Sequence, residues 1–334
     1  MRIVTGKHYE NFEDARIFPE YGKNSEELKK FVSSLEGEET VVTASLELID
    51  LILERFKRTE SGELVYSDTM KSLTLKEAYE LRKYLDFDLR GAAFGKFSKV
   101  SVIFCEGKTD SKFFKGVYKK LFGFKESRTI PENLKLIEKV FERDNFELLR
   151  KGNEFLAIIP SEGNAGVIRN LGNFLKGMDV FEFKVDKIGL AIDIDESAER
   201  VMESITGKLS SFKFTREGEN FRVGDVFIIP LLIGYHFKHP CVEWKKPTVE
   251  DLMLKLLEKQ GVLRKIERAI NILRIDLKRK LKPKEVIYLA LASYGFWGNL
   301  EGFYEMFVMR SRKKHLEEIL RSAGLLDKLV EVIE

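Results

Sequence analysis

The sequence predicts an α/β protein: a mainly parallel sheet flanked by helices, with an α-rich module before it and a helical region after it. Three observations predict this. Between residues 99 and 234, apolar and β-branched runs of about one buried strand's length alternate with stretches of helical periodicity, the pattern of strands covered on both faces. Two of those runs, VSVIFCEG at 100–107 and IGLAIDIDE at 188–196, stop abruptly in carboxylates, where strands of an open sheet end. From about residue 248 onward, apolar residues recur at helical spacing to the end of the chain. A chain of 334 residues exceeds what one core organises, at roughly 100–200 residues per domain, and three regions are read: 1–98, 99–240 and 241–334.

In the first region Leu28, Phe31, Val32 and Leu35 lie at helical spacing, and Leu46, Ile49, Leu53 and Phe56 repeat it. Thr74 followed by Glu77 is a capping-box signature ahead of Ala78, Leu81 and Leu85. The stretch RGAAFGKFSK at 90–99 contains glycine, lacks periodicity and reads as a linker, while the lone His8 reads as a surface or packing residue. In the middle region the strand at 100–105 leads into a helix over 111–121 with an apolar face of Phe113, Phe114, Val117, Tyr118 and Leu121. A helical insert is expected over 131–149, with Pro131 suited to a first turn. Then come a strand within 155–163, a helix through Val167, Leu171 and Leu175, the strand at 188–195, a helix from Ser197, and a fourth strand within 225–234. In the tail, Pro283 marks a helix start and Gly324 a break.

Composition excludes several classes. Lys+Arg 57 against Asp+Glu 54 leaves a net charge of +3, which neither demands nor excludes a polyanionic partner. Two cysteines, Cys105 and Cys241, cannot build a disulfide framework. No signal-like segment opens the chain, and no apolar run reaches the roughly 18 residues of a membrane span, so a cytoplasmic setting is expected. A charged fraction of 33%, rich in Lys and Glu with almost no Gln, resembles thermophile composition.

The chemistry lies in the middle region. Glu106 closes a strand, Gly107 allows a tight turn, and Asp110 falls on the first turn of the next helix. Asp193 and Asp195 alternate by two and would project to one side of an extended strand, at whose end they could converge on one cation. Clustered carboxylates without His or Cys favour Mg²⁺ or Mn²⁺ over zinc, and a metal held that way acts on phosphates. Each motif also has a plainer reading, with Asp195 capping the helix that follows it. Their joint occurrence at two apolar strand ends, with a βα unit between them, favours a site.

These residues resemble the TOPRIM domain, the catalytic module of topoisomerases, bacterial-type primases, and OLD-family and related nucleases. The family pattern is a hydrophobic strand ending in Glu-Gly with an acidic residue shortly after, then a later strand ending in Asp-x-Asp. Here those are Glu106-Gly107-Lys108-Thr109-Asp110 and Asp193-Ile194-Asp195, and the resemblance covers about 99–234. SEGNAGVIRNLGNFL at 161–175 is similar to OLD-type and small stand-alone archaeal TOPRIM proteins, and the tail beginning TVEDLMLKLL is similar to the latter. The resemblance implies metal-dependent phosphoryl transfer on nucleic acid. Asp193 and Asp195 would hold Mg²⁺ or Mn²⁺, Glu106 would complete the metal shell or act as general acid/base, and Asp110 would be an additional ligand. A second metal would draw on Glu162, Glu243, Glu250 or Asp251. Ser161 and Asn164 are candidates for binding phosphate, and Lys108 either neutralises a phosphate or faces solvent.

Departures narrow the class. No tyrosine has the surroundings of a topoisomerase nucleophile, and Tyr235, near His236 and His239, reads as local packing. The chain lacks GxxxxGK[ST], so the ATPase of full OLD nucleases is absent and no ATP is needed; two distant cysteines exclude a primase-type zinc ribbon. Two basic clusters suit contact with backbone phosphates: Arg274 with Lys278, Arg279, Lys280, Lys282 and Lys284, and Arg310, Arg312, Lys313 and Lys314 with His315. Phe296, Trp297, Phe303, Tyr304 and Phe307 between them read as core, with base stacking the sharper alternative. The expected activity is a TOPRIM nuclease cleaving DNA or RNA without ATP. The alternative is a non-catalytic nucleic-acid-binding protein with a regulatory or structural metal site. A phosphatase using Asp193 as nucleophile fits less well, because enzymes of that type place the Asp pair on their first strand, whereas here it sits on the third.

Overall fold

In a computed structural model of the chain, the structure describes residues 1–5, 16–17, 25–43, 46–58, 62–66, 71–88, 99–127, 146–152, 154–181, 185–194, 197–240, 242–243, 246–272, 280–296 and 298–334. They fall into two compact units, one of 1–97 with 131–142 and 173–184, the other of 98–130, 143–172 and 185–334.

The first unit combines helices and a sheet. Its elements are β1 (Arg2–Thr5), β2 (Arg16–Ile17), α1 (Ser25–Ser33), β3 (Thr40–Val42), α2 (Leu46–Phe56), β4 (Glu63–Tyr66), β5 (Lys71–Thr74) and α3 (Leu75–Asp88). The three helices lie where helical spacing puts them. The capping box opens α3, the Thr74 N–H donating to the Glu77 carboxylate at 3.3 Å and the Glu77 N–H to the Thr74 hydroxyl at 3.2 Å. The five-stranded sheet, in the order β2-β3-β1-β4-β5 with only β5 antiparallel to its neighbour, adds to the expected α-rich module. Its strands run two to four residues, too short for an alternating pattern to stand out. His8 and all of the 90–99 linker except Lys99 lie outside the described residues.

The second unit is built on β6 (Lys99–Cys105), α4 (Lys108–Phe122), β7 (Lys125–Glu126), β8 (Glu147–Lys151), β9 (Glu154–Pro160), the first half of α5 (Asn164–Phe181, of which 173–181 are assigned to the first unit), β10 (Lys187–Asp193), α6 (Ala198–Leu209), β11 (Phe214–Glu217), β12 (Asn220–Val223) and β13 (Val226–Ile233). Six helices follow: α7 (Val249–Lys259), α8 (Val262–Ile272), α9 (Pro283–Ser293), α10 (Leu300–Arg310), α11 (Lys313–Ser322) and α12 (Leu326–Glu331). The eight strands lie in the order β11-β12-β13-β10-β6-β9-β8-β7, the central four parallel and the outer pairs antiparallel. The parallel strands are buried on both faces, which is why they read as continuous apolar runs.

Alternate strand residues Ile103, Cys105, Ala191 and Leu231 share one core with Phe113 and Val117 of α4 and with Leu252, Phe303, Phe307 and Leu320 of the tail. Residues 241–334 lie in the same compact unit as the sheet. Gly189 makes room for this packing, since a Cβ there would lie 3.1 Å from Ile103 and 3.2 Å from both Leu231 and Val332.

Two differences from the sequence reading concern the sheet margins. Residues 147–149, expected at the end of a helical insert, are in β8, paired antiparallel to β9; residues 131–145 lie outside the described residues. The β11–β12 hairpin, turned at Gly218 with φ +66°, was not anticipated, because its strands are short and largely polar. Among the described residues no helix is long and apolar enough to cross a membrane.

Helix α5 starts close against the end of β9. A Cβ on Gly166 would sit 1.4 Å from the Ser161 carbonyl oxygen, which is backbone and cannot rotate aside. Gly166→Ala is expected to destabilise the fold by about 1–3 kcal/mol or more, read as a lowered urea midpoint. An unchanged midpoint would show that the strand–helix junction is looser than this spacing.

Candidate active site

The chain reaches β9 from β6 through α4 on one side and β13 from β10 through α6 on the other, so strand order reverses between β6 and β10. In open α/β sheets such a reversal leaves a crevice at the carboxyl ends of the two strands, because their following connections diverge. Glu106 directly follows β6 and Asp193 ends β10. They are tied together, the Asp193 N–H donating to Glu106 Oε1 at 2.8 Å.

Both line a cleft of about 510 Å³ together with Gly107, Thr109, Asp110, Gly163, Glu243, Lys246, Thr248, Glu250, Lys282, Pro283 and Lys284. Asp110 is buried at N3 of α4 and accepts the Gly107 N–H at 2.8 Å, so it closes a helix cap as well as walling the cleft. Burial, with Glu250 and Glu106 nearby, pushes its carboxyl up to about 7, against the lowering effect of the Gly107 N–H and of Lys284. Lys284 Nζ lies 3.3 Å from the nearly buried Glu250.

Three predicted carboxylates, Glu106, Asp110 and Asp193, thus meet in one cleft, and two of the second-metal candidates, Glu243 and Glu250, join them. Asp195 lies outside the described residues. Among the described residues no three His, Cys, Asp or Glu side chains are grouped closely enough to hold a metal ion. The lining carboxylates are oxygen donors, the kind a hard dication takes, and one of them, Asp110, is raised chiefly by burial and further by Glu250 and Glu106.

Other expectations are corrected. Ser161 is buried, its hydroxyl accepting from Asn170 Nδ2 at 3.0 Å and donating to the Ile159 carbonyl at 3.4 Å, so it packs the strand–helix junction instead of meeting a phosphate. Asn164 does not line the cleft, and Lys108, also outside its lining, is exposed, as the solvent-facing one of its two readings has it. Glu162, in left-handed backbone at φ +56°, turns outward with its side chain 93% exposed. Asp251 is buried at N3 of α7, where it completes the capping box with Thr248 and accepts the Phe237 and Thr248 N–H groups, each at 3.0 Å. The fused turn explains the glycines: Gly163, at φ +83°, donates its N–H to the Glu106 carbonyl at 2.8 Å.

Of the first basic cluster, Arg274, Lys278 and Arg279 lie outside the described residues, Lys280 is exposed, and Lys282 and Lys284 reach the cleft. Arg310, Arg312, Lys313 and Lys314 are exposed at the α10–α11 turn, outside the cleft lining. Phe303, Tyr304 and Phe307 are buried core, and Trp297 lies outside the described residues. His239 stacks on Phe237 at 5.8 Å with its Nε2 3.3 Å from Glu267, the local packing expected of that segment. Sequence reasoning missed Lys246, Lys282 and Lys284 as cleft residues. Only their place in a basic run marked the latter two, and nothing local marked Lys246.

A protein of Methanocaldococcus jannaschii described as uncharacterized is 24% identical over 218 residues, 62% of this chain and 88% of its own length. The crystal structure of a hypothetical protein from Pyrococcus horikoshii OT3 is similar at a TM-score of 0.60 and 25% identity, covering 70% of this chain and 99% of its own. Residues 100–327, which include every cleft residue named above, match the family described as "Protein of unknown function (DUF3226)", and the chain belongs to that family.

Proposed function

We propose that this chain is a divalent-cation-dependent phosphoryl-transfer enzyme on nucleic acid, a nuclease with a TOPRIM-like arrangement that cleaves DNA or RNA without ATP. The observation that carries it is the pairing of Glu106 and Asp193 across the reversal in strand order, at the mouth of a cleft walled by further carboxylates and by lysines. Carboxylates suit a cation, and lysines beside them suit the phosphate the cation would act on. Glu106 and Asp193, with Asp110, would hold Mg²⁺ or Mn²⁺, and the ion would polarise a phosphoryl oxygen. The buried free thiol of Cys105 supports a reducing, cytoplasmic setting.

The test is incubation of the purified chain with labelled single- and double-stranded DNA and RNA, with Mg²⁺, Mn²⁺ or chelator. Metal-dependent cleavage that Glu106→Ala abolishes supports the reading. Calorimetric Mn²⁺ binding without cleavage of any of the four substrates moves the weight to a non-catalytic nucleic-acid-binding protein. The ion pair that already neutralises Glu250 through Lys284 favours that second reading.

The exposed cations at the start of α11 bear on the nucleic acid itself. Arg312, Lys313 and Lys314 stand at a helix N-terminus, where the macrodipole disfavours positive charge. Lys313→Gln is expected to weaken nucleic-acid binding for all sequences alike and to reduce the salt slope by about 1, with stability unchanged or slightly raised. An unaltered salt slope would remove this turn from the binding surface.

A further inference from the structure

The cleft continues onto a helix whose outer face carries aromatic surface. The start of α9 contributes Lys282, Pro283 and Lys284 to the cleft lining, and the Lys284 side chain is 62% exposed. Tyr288 follows four residues later, so its ring stands beside Lys284 on the same helix face, about 6 Å further along the axis.

Tyr288 is 54% exposed, and with Leu289 and Tyr294, both 40%, makes up the exposed large hydrophobic side chains among the described residues. Packing accounts for Tyr294, whose ring meets Phe303 at 6.1 Å and Phe307 at 5.6 Å. Tyr288 is the most exposed of the three, and no hydrogen bond or ring contact joins it to another described residue.

We propose that Tyr288 is a base-stacking residue through which the cleft selects unpaired nucleic acid, Lys284 and Lys282 meeting the backbone phosphate and the Tyr288 ring an adjoining base. A base free of a duplex has a π-face to offer; a base inside a duplex has both faces covered. Lys284 and the ring are about one helical turn apart, and Lys284 lines the same cleft as Glu106 and Asp193, so one strand can meet all of them. This inference rests on the nucleic-acid reading above and names the form of substrate.

The test is fluorescence anisotropy of the full chain in chelator, where cleavage plays no part, with fluorescein-labelled oligothymidine, the same length of abasic strand, and oligothymidine paired with oligoadenine. Tyr288→Ala is expected to weaken oligothymidine binding roughly 5- to 150-fold, the size of one base–aromatic stack, and Tyr288→Trp to restore it. For the abasic strand and the duplex, wild type and Tyr288→Ala should bind alike. Equal binding of oligothymidine by wild type and Tyr288→Ala overturns the inference, as does failure of the wild type to bind it, or an equal loss on the abasic strand. A smaller oligomer in Tyr288→Ala with unchanged oligothymidine binding overturns it in favour of contact between copies. Because no metal is present, an absence of cleavage leaves this result standing, and cleavage unaffected by Tyr288 leaves the nuclease reading standing.

Discussion

Lys115→Met is expected to lower the stability of the fold by about 3–5 kcal/mol, the cost of removing one partner from a buried charge network. The Lys115 side chain is 6% exposed, its ammonium 2.8 Å from Glu147, 3.1 Å from Glu305 and 3.2 Å from Glu126. Lys119 adds contacts of 2.7 Å to both Glu126 and Glu305. The network therefore joins α4 to β7, β8 and α10, and methionine would fill the volume while leaving Glu147 and Glu305 short of a cation. Urea denaturation reads the loss, and a midpoint equal to wild type would show that the remaining lysines suffice.

The same network sets a pH dependence. The Lys119 hydrogen bond, opposed by partial burial and helped by Lys115, holds Glu126 at about 2 instead of 4.5. Burial alone would raise Glu147, but hydrogen bonds from Lys112 and Lys115 reverse it and leave that carboxyl below its usual range. Groups lowered on folding contribute stability that is complete above their unfolded values and is lost as pH falls through the folded ones. Stability from this network should hold above about pH 4.5 and decline toward pH 2, with a shallower decline in Lys115→Met.

Asp193→Ala is expected to reduce cleavage roughly a thousandfold and to remove calorimetric Mn²⁺ binding, since a cation on a phosphoryl oxygen is worth several kcal/mol and about 1.4 kcal/mol is tenfold. The fold should survive. Asp193 is held in β10 by backbone pairing with Ile233, and its tie to Glu106 uses its own N–H, so alanine keeps both. The urea midpoint should stay within the range of a neutral surface change, about 0.5 kcal/mol. Full Mn²⁺ affinity in Asp193→Ala would show that the cation, if bound, sits elsewhere.

By itself the sequence determined the parallel strands and the acids that end them. Strands buried on both faces must be continuous apolar runs, so β6, β9, β10 and β13 were each legible, and a charge directly after such a run marks a strand end whatever the surrounding fold. Capping chemistry is equally local, which is why Thr74 with Glu77 and Pro283 at the start of α9 were legible too. Short strands were not legible: β1 to β3 pair with strands distant in sequence, and the β11–β12 hairpin, although local, is too short and polar for an alternating pattern to stand out.

Only the tertiary structure decided which carboxylates share the cleft. Glu162 and Asp251 carry the same charge as Glu243 and Glu250, yet one points to solvent and the other caps a helix, because side-chain direction depends on backbone φ and on capping partners. Ser161 and Lys108 lie within the motifs but outside the cleft, while Lys282 and Lys284 reach it from the start of a helix more than eighty residues beyond Asp193. Burial of one apolar core holds that helix region against the sheet, and burial is a property of the packed chain that no local stretch of sequence contains.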